Sequence, residues 1–200
     1  MFTYVIKIYN QFKNLYDIKK HIDSIYTIKD INNEEENNKL FKSLKDIIFQ
    51  SGSLYIKFLQ WYISKLKSNI INNDNSDTII TIKFINYFED IFEQCPYHSL
   101  EHTKTIFKEV MYGIELEDYI DISTFKTIAS GSIGQVYYGK RKRDGVEVAI
   151  KVKHPTIDTD LENQYELLTV LRYIQSIHYF KFKYNLIFNI DDFLEDINLQ

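Results

Sequence analysis

The chain has 200 residues, which is enough for one domain of ordinary size with a helical appendage. Its hydrophobic content of 44% with 26% charged residues is typical of a protein that buries a core, and excludes a chain disordered throughout. The net charge of -4 predicts no nucleic-acid partner, and the single cysteine, Cys95, excludes an internal disulfide and a cysteine-based zinc site. Cys95 is expected to be a packed or turn residue.

Targeting signals are not evident in the sequence. Charged residues or asparagines interrupt every apolar run before it reaches the length of a membrane span. The N-terminus lacks the basic start and apolar stretch of a signal peptide, and the first arginine is Arg141, so no arginine-rich transit peptide is expected. The default expectation is a cytoplasmic protein.

The first half of the chain is predicted to be mostly helical. Four of the 6 glycines lie within residues 131–145, so few helix breakers precede them. The asparagine-rich stretches 31–38 and 71–77 are predicted loops, and residues 40–68 between them have apolar residues at helical spacing, with Gly52 as a possible break. Residues 82–92 and 100–112 are predicted helices joined by a turn at Cys95 and Pro96.

After Tyr119 the apolar period changes from helix to strand. Residues 125–129, 135–140 and 146–152 are strand candidates, and Asp144-Gly145 is a strong signal for a tight hairpin turn. We therefore predict an antiparallel unit of three strands. The basic run 140–143 then lies at a hairpin tip, where a solvated tip is favoured over a phosphate-binding or localisation patch.

A helix is predicted to follow the third strand. Thr159 and Glu162 fit a capping box, and an apolar stripe continues from Ile157 to Ile174. A last helix is predicted to begin near Ile190.

Two features in this strand region suggest phosphate chemistry. Residues 128–136 form a turn of small residues between two strands, and small residues allow a backbone to approach a polyphosphate while successive N–H groups make an anion cradle. A strand ending in Lys151 follows at the distance at which kinase folds place a lysine that contacts phosphates. The alternatives are an ordinary tight hairpin and a lysine that points out of an ordinary strand.

The segment ASGSIGQVYYGKRKRDGVEVAIKVKHP resembles the signature of the UbiB-type atypical kinases, also called aarF-domain-containing kinases. That family has an Ala/Ser-rich loop, then Gly-Gln-Val, a DG hairpin, the strand lysine and His-Pro. The resemblance implies that Ala129, Ser130, Gly131 and Ser132 form the phosphate-facing loop and that Lys151 contacts phosphate. It also implies ATP with Mg²⁺ as the ligand of the complete family fold, with weak or no binding by this chain alone.

Residues 52–66 are similar to the family's KxGQ helix. Lys57 and Gln60 match the motif, while Leu59 stands where the family has glycine. The resemblance implies that Lys57 and Gln60 enter the active site from the N-terminal extension and exclude protein substrates. From composition alone, Lys57 would be a surface lysine on an amphipathic helix. The likeness covers roughly residues 52–200.

The end of the sequence bears on activity. Residues 191–200 resemble the approach to the family's ExD helix, and the resemblance implies that the paired glutamate and the catalytic and metal-binding residues lie beyond Gln200. The chain is then expected to be a truncated reading frame or half of a split gene, and inactive alone. Glu166 is a possible substitute partner for Lys151, although a solvated position is favoured.

These inferences predict an α+β protein. A helical extension, residues 1–120, packs on the small β-rich lobe of a protein-kinase-like fold, residues 121–200, and the C-lobe is absent. The resemblance implies a nucleotide-binding part of an atypical kinase or ATPase tied to ubiquinone or isoprenoid-lipid metabolism, with ATP and a separately encoded C-lobe as partners. The alternative is a non-catalytic binding module with a vestigial hairpin. A face of α-helix with Tyr55, Phe58, Leu59, Tyr62 and Leu66 would then dock on a membrane surface or partner helix, although core packing is the commoner role of such a stripe.

Overall fold

The structure is a computed structural model that describes residues 2–28, 30, 32–70, 78–155, 157–159, 162, 165, 168–169, 172 and 190–198. The chain divides into two compact units. The first comprises Met1–Phe88 and Asp158–Gln200, and the second comprises Glu89–Ile157. The two units are a helical assembly and a small three-stranded sheet with its own helices, which confirms the predicted α+β class.

The first unit has four consecutive helices: α1 (Phe2–Tyr26), α2 (Glu34–Ser51), α3 (Ser53–Ile70) and α4 (Thr78–Phe88). Gly52 separates α2 from α3 with φ 108°, a conformation that side chains with a Cβ rarely adopt, so the predicted break is confirmed.

The predicted loop 31–38 is wrong in its second half, because α2 already begins at Glu34. The Asn33 side chain accepts a hydrogen bond from the Glu36 N–H, and three glutamates in the first turn favour the positive end of the helix dipole. The predicted loop 71–77 lies outside the described residues.

Aromatic side chains form the core of the first unit. Phe41, Phe84 and Phe88 are fully buried, and the Phe84 ring lies 4.6 Å from Phe88 and 5.9 Å from Phe41. The α3 side chains Tyr55, Leu59 and Tyr62 are also buried, and burial raises the pKa of both tyrosines. Most of the aromatic face that could have docked on a partner is therefore core.

Another helix of the first unit, α7 (Ile190–Asn198), packs on α3. Phe193 is 1% exposed, and its ring lies 5.4 Å from the rings of both Phe58 and Trp61. The Trp61 indole N–H donates to the Asp196 carboxylate at 2.7 Å, and Lys65 Nζ lies 2.9 Å from the same oxygen. The hydrogen bonds from Lys65 and then Trp61 lower the pKa of Asp196. The predicted helix near Ile190 is confirmed.

The second unit begins with a 3₁₀ turn (Glu89–Phe92), followed by α5 (Leu100–Val110) and α6 (Leu116–Tyr119). The predicted helix 82–92 is thus divided between α4 and the 3₁₀ turn. Ser99 caps α5 by accepting from the His102 N–H. Cys95 lies in the turn before α5, buried, with its thiol donating to the Ile91 carbonyl.

Three antiparallel strands follow, in the order β1-β2-β3: β1 (Ile120–Ser130), β2 (Gly134–Arg141) and β3 (Glu147–Lys153). The predicted strand unit is confirmed, although β1 begins five residues earlier than expected. Phe107, Leu116 and Ile120 form a buried hydrophobic cluster of the second unit.

The β2–β3 connection is wider than the predicted two-residue turn. Gly145 has φ 69°, but Asp144 is not in the left-handed region that a primed turn also requires there. Instead Asp144 accepts two hydrogen bonds from the Arg141 guanidinium, at 2.8 and 2.6 Å. Lys142 and Arg143 are exposed. The solvated tip is therefore the better description of the basic run.

The predicted helix 157–174 lies largely outside the described residues, and Glu166 is among those not described; Glu162 is exposed. Across the described part of the chain, no helix combines the length and apolarity that a membrane crossing requires.

Candidate functional site

The register of the sheet aligns two of the predicted site residues, Ala129 and Lys151, with Val136 between them. Ala129 on β1 pairs with Val136 on β2, and Val136 pairs with Lys151 on β3. Because paired residues of antiparallel strands project from the same face, these three side chains form one row across the sheet. Ala149 belongs to the same face through its pairing with Tyr138. Ala149 and Lys151 are exposed, and Ala129 and Val136 are half-buried.

The opposite face of the sheet is covered by helix. Tyr137, Gln135 and Val152 alternate with the row above and are buried. The Tyr137 ring stacks on Phe125 at 4.7 Å, and its hydroxyl lies 2.6 Å from Thr103 on α5. One face of the sheet is thus a core surface, and the face that carries Lys151 is the one a ligand can reach.

The small-residue loop 129–132 is closed by backbone hydrogen bonds. Ser130 is fully buried, its N–H donates to the Glu93 carbonyl at 2.7 Å, and its carbonyl accepts from the Cys95 N–H at 2.7 Å. The Gly131 N–H donates to the Gly134 carbonyl at 2.9 Å. Two N–H groups of the expected anion cradle therefore donate within the protein.

Gly134 shows why the loop needs a residue without a side chain. A Cβ at this position would lie 2.7 Å from the Val152 carbonyl oxygen, well inside van der Waals contact. A Cβ at Gly131 would lie 3.8 Å from the carbonyl oxygens of Gly134 and Phe92, which is an ordinary van der Waals distance. The glycine at 134 allows β2 and β3 to pair up to the loop.

Behind the loop lies a cluster of polar side chains that the sequence did not predict as functional. His98 Nδ1 lies 2.8 Å from His154 Nδ1, and His154 Nε2 lies 3.0 Å from the Gly131 carbonyl oxygen. Thr103 lies 2.9 Å from His98 Nε2, and Gln135 bonds to the Tyr137 hydroxyl at 2.7 Å. The sequence feature that could have indicated this cluster is the spacing of Gln135 and Tyr137, two polar side chains that lie on the buried face of the same strand.

Burial and two neighbouring imidazoles determine the charge of this cluster. Desolvation, followed by the electrostatic effects of His154 and His102, lowers the pKa of His98 to about 4. His98 is therefore neutral at pH 7, and a neutral imidazole both donates and accepts one hydrogen bond.

Lys57 and Gln60 lie three residues apart on α3, and both are half-buried. Leu59, which stands at the family's glycine position, is 1% exposed and packs into the core of the first unit. Its larger side chain is therefore accommodated by helix packing. Because α3 and the loop 129–132 belong to different compact units, the expected approach of Lys57 and Gln60 to that loop stays a prediction.

No group of three or more His, Cys, Asp or Glu side chains that could hold a metal ion occurs among the residues described. Within the same residues, no acidic side chain forms an ion pair with Lys151.

The family model of the ABC1 atypical kinase-like domain matches residues 90–199, more than half of the chain. The chain belongs to this family. The match includes the small-residue loop, the three strands, Lys151 and α7, and confirms the resemblance to UbiB-type atypical kinases seen in the sequence. It begins after α3, so the KxGQ-like helix lies outside it.

Two curated relatives extend the likeness. The chain is 25% identical over 125 residues to the Probable serine/threonine-protein kinase abkC of Dictyostelium discoideum, covering 62% of the chain and 16% of that protein. It is 27% identical over 142 residues to Protein ACTIVITY OF BC1 COMPLEX KINASE 8, chloroplastic, of Arabidopsis thaliana, covering 69% of the chain and 16% of that protein. The chain thus spans about one sixth of the length of each of these relatives. No solved structure matches it significantly.

Proposed function

We propose that this chain provides the nucleotide-binding part of an ABC1-type atypical kinase or ATPase, with ATP as its ligand. The observation that carries the proposal is the row of Ala129, Val136 and Lys151 on the accessible face of the sheet. A cation on a flexible stem stands at one end of this row, and small or branched apolar side chains stand beside it.

The chemistry of that face suits a nucleotide. Val136 and Ala149 offer apolar surface to a base without bulk, and the Lys151 ammonium is a mobile point charge for phosphate oxygens. Ligand sites are mostly apolar with a few placed polar groups, which is the composition of this surface.

We propose that the loop 129–132 faces the phosphates without using all of its N–H groups as an anion cradle. Since Ser130 and Gly131 donate within the protein, these residues and Ala129 hold the strand ends together and keep the approach to Lys151 narrow. Ser132 completes this loop, and the assignment of all four residues to phosphate binding remains part of the proposal.

The division of labour along the chain is also proposed. Residues 1–120 would act as the helical extension, with Lys57 and Gln60 as regulatory residues, and residues 121–200 would act as the nucleotide-binding lobe. Magnesium binding, phosphoryl transfer and any link to ubiquinone or isoprenoid lipids are proposed for the complete family fold. We propose that these 200 residues alone bind ATP weakly and do not turn it over, because most of a nucleotide's surface must be enclosed for tight binding.

The test is a titration of the ¹⁵N-labelled chain with ATP and Mg²⁺, followed by amide chemical shifts, together with a phosphate-release assay. We expect shifts confined to the loop and to β3 near Lys151, a dissociation constant on the order of 1 mM, and no phosphate release. The Lys151→Ala variant should lose the shifts.

The matched control is Lys142→Ala, which removes the same charge from the hairpin tip. It should bind like the parent chain. Shifts that persist in Lys151→Ala, or that disappear equally in Lys142→Ala, would exclude the proposed site. Magnesium-dependent turnover that disappears in Lys151→Ala would contradict the proposed inactivity, and Glu166 would then be the first acid to replace.

A further inference from the structure

In the polar cluster behind the loop, the groups at the two ends determine which residue donates and which accepts in each hydrogen bond. The Gly131 carbonyl can only accept, so His154 must donate to it from Nε2 at 3.0 Å. In a neutral imidazole the other nitrogen then has no proton. His154 Nδ1 is therefore an acceptor.

The next contact follows from this. His98 Nδ1 lies 2.8 Å from His154 Nδ1, so His98 must be the donor at Nδ1. Its Nε2 is then an acceptor and takes the hydroxyl proton of Thr103, at 2.9 Å. Thr103 in turn accepts from the Tyr137 hydroxyl, at 2.6 Å.

The far end gives the same direction independently. The His98 backbone N–H donates to Gln135 Oε1 at 3.0 Å, which orients the amide so that Gln135 Nε2 donates to the Tyr137 oxygen at 2.7 Å. Every donor from Gln135 to Gly131 thus points one way: Gln135, Tyr137, Thr103, His98, His154, Gly131. The lowered pKa of His98 agrees with a neutral His98 ring within this series of hydrogen bonds.

His154 is the member that touches the loop. Besides its bond to Gly131, its backbone N–H donates to the Ile133 carbonyl at 3.1 Å, and Nε2 lies 3.4 Å from the Ser130 hydroxyl. His154 therefore contacts two loop residues, Ser130 and Gly131, through its side chain, and the adjacent Ile133 through its backbone.

We infer that His154, with its tautomer selected by His98, is the positioning residue of the loop 129–132 and of the nucleotide site beside it. The effect on nucleotide rests on the proposed function, whereas the effect on the loop does not. His98 would be held with its proton on Nδ1, the less common tautomer of a free imidazole, because its two partners leave no other arrangement.

The first test needs neither a variant nor a ligand. Long-range ¹H–¹⁵N correlation spectra of the imidazoles at pH 7 should show His154 protonated at Nε2 and His98 protonated at Nδ1. A proton on Nε2 alone in His98, on Nδ1 alone in His154, or on all four nitrogens would overturn the inference.

The second test separates positioning from general stability with a matched pair of variants. His154→Gln places an amide near the original Nε2 and can still donate to Gly131, while His154→Asn is too short. Amide exchange at Gly131 should be roughly 2- to 10-fold faster in His154→Asn than in His154→Gln, the range that loss of one hydrogen bond gives. Equal exchange in the two variants would contradict the inference.

The control is His102→Gln. His102 lies beside His98, with ring centroids 4.9 Å apart. Its side chain donates to the Lys153 carbonyl and takes no part in the series of hydrogen bonds from Gln135 to Gly131. It should leave the tautomers and the Gly131 exchange unchanged, and a change equal to that of His154→Asn would count against the inference. If the tautomers and exchange are as expected while ATP shifts no amide in any protein, the proposed function fails and the role of His154 in the loop stands.

Discussion

Substituting Gly134 with alanine should weaken the sheet at the point where the loop begins. The added Cβ would lie 2.7 Å from the Val152 carbonyl oxygen, whereas ordinary contact begins at 3.4 Å. The atoms nearest to this Cβ all belong to the backbone of Val152 and Lys153 in β3, so they cannot move away as the end of a flexible side chain could. The strands must therefore separate by several tenths of an ångström.

The expected cost combines two opposing effects. Overpacking in a closely packed region costs about 1–3 kcal/mol, and replacing glycine with alanine in a strand returns about 0.5–1 kcal/mol by lowering the entropy of the unfolded chain. Gly134 has no positive φ, so no further backbone strain arises. The net loss in the free energy of unfolding is about 1 kcal/mol and at most about 2.5 kcal/mol, which corresponds to roughly 2–10 °C in the unfolding midpoint of a chain of this size.

Thermal unfolding monitored by circular dichroism measures this effect, with amide exchange in β2 and β3 as the local readout. Gly131→Ala is the matched control, because a Cβ there would lie 3.8 Å from the carbonyl oxygens of Gly134 and Phe92, an ordinary contact distance. It should be neutral or stabilise by up to about 1 kcal/mol. Equal stability of the two variants would refute the reasoning from close approach.

Two further predictions concern the first unit and the histidine cluster. Phe193→Ala should lower the free energy of unfolding by about 3 kcal/mol or more, because the ring is fully buried against Phe58 and Trp61. Urea unfolding followed by Trp61 fluorescence measures this loss, and the control Glu195→Ala, at an exposed position, should have no effect. The low pKa of His98, about 4 against an ordinary 6.5, means that between these values the unfolded chain binds a proton that the folded chain does not. The contribution of the neutral His98 ring to the free energy of unfolding should thus be fully present above pH 6.5 and be lost toward pH 4, by on the order of 1 kcal/mol after solvent screening of this half-buried ring. A His98→Gln variant with the same pH profile as the parent chain would contradict this.

The strand unit and the family were accessible from the sequence because their signals are local. The period-2 pattern, the Asp144-Gly145 dipeptide and the spacing from the small-residue loop to Lys151 all lie within about thirty positions. The break at Gly52 followed from one residue's backbone freedom. The start of α2 was missed because its acidic first turn had the composition of a loop, although Asn33 and Glu36 form an N-cap.

Other features needed the tertiary structure, because they depend on which distant segments meet. His98 and His154 are 56 positions apart, and neither residue's neighbours in sequence indicate a shared hydrogen bond. The Ser130 N–H is taken by Glu93, which only the folded turn brings alongside β1. The aromatic stripe on α3 has the same spacing whether it faces a partner or a core, and the packing of Phe41, Phe84 and α7 makes most of it core. The sequence by itself determined the strands, the loop and the lysine, since these depend on local spacing. Burial, hydrogen-bond direction and the choice of exposed face were decided by long-range packing.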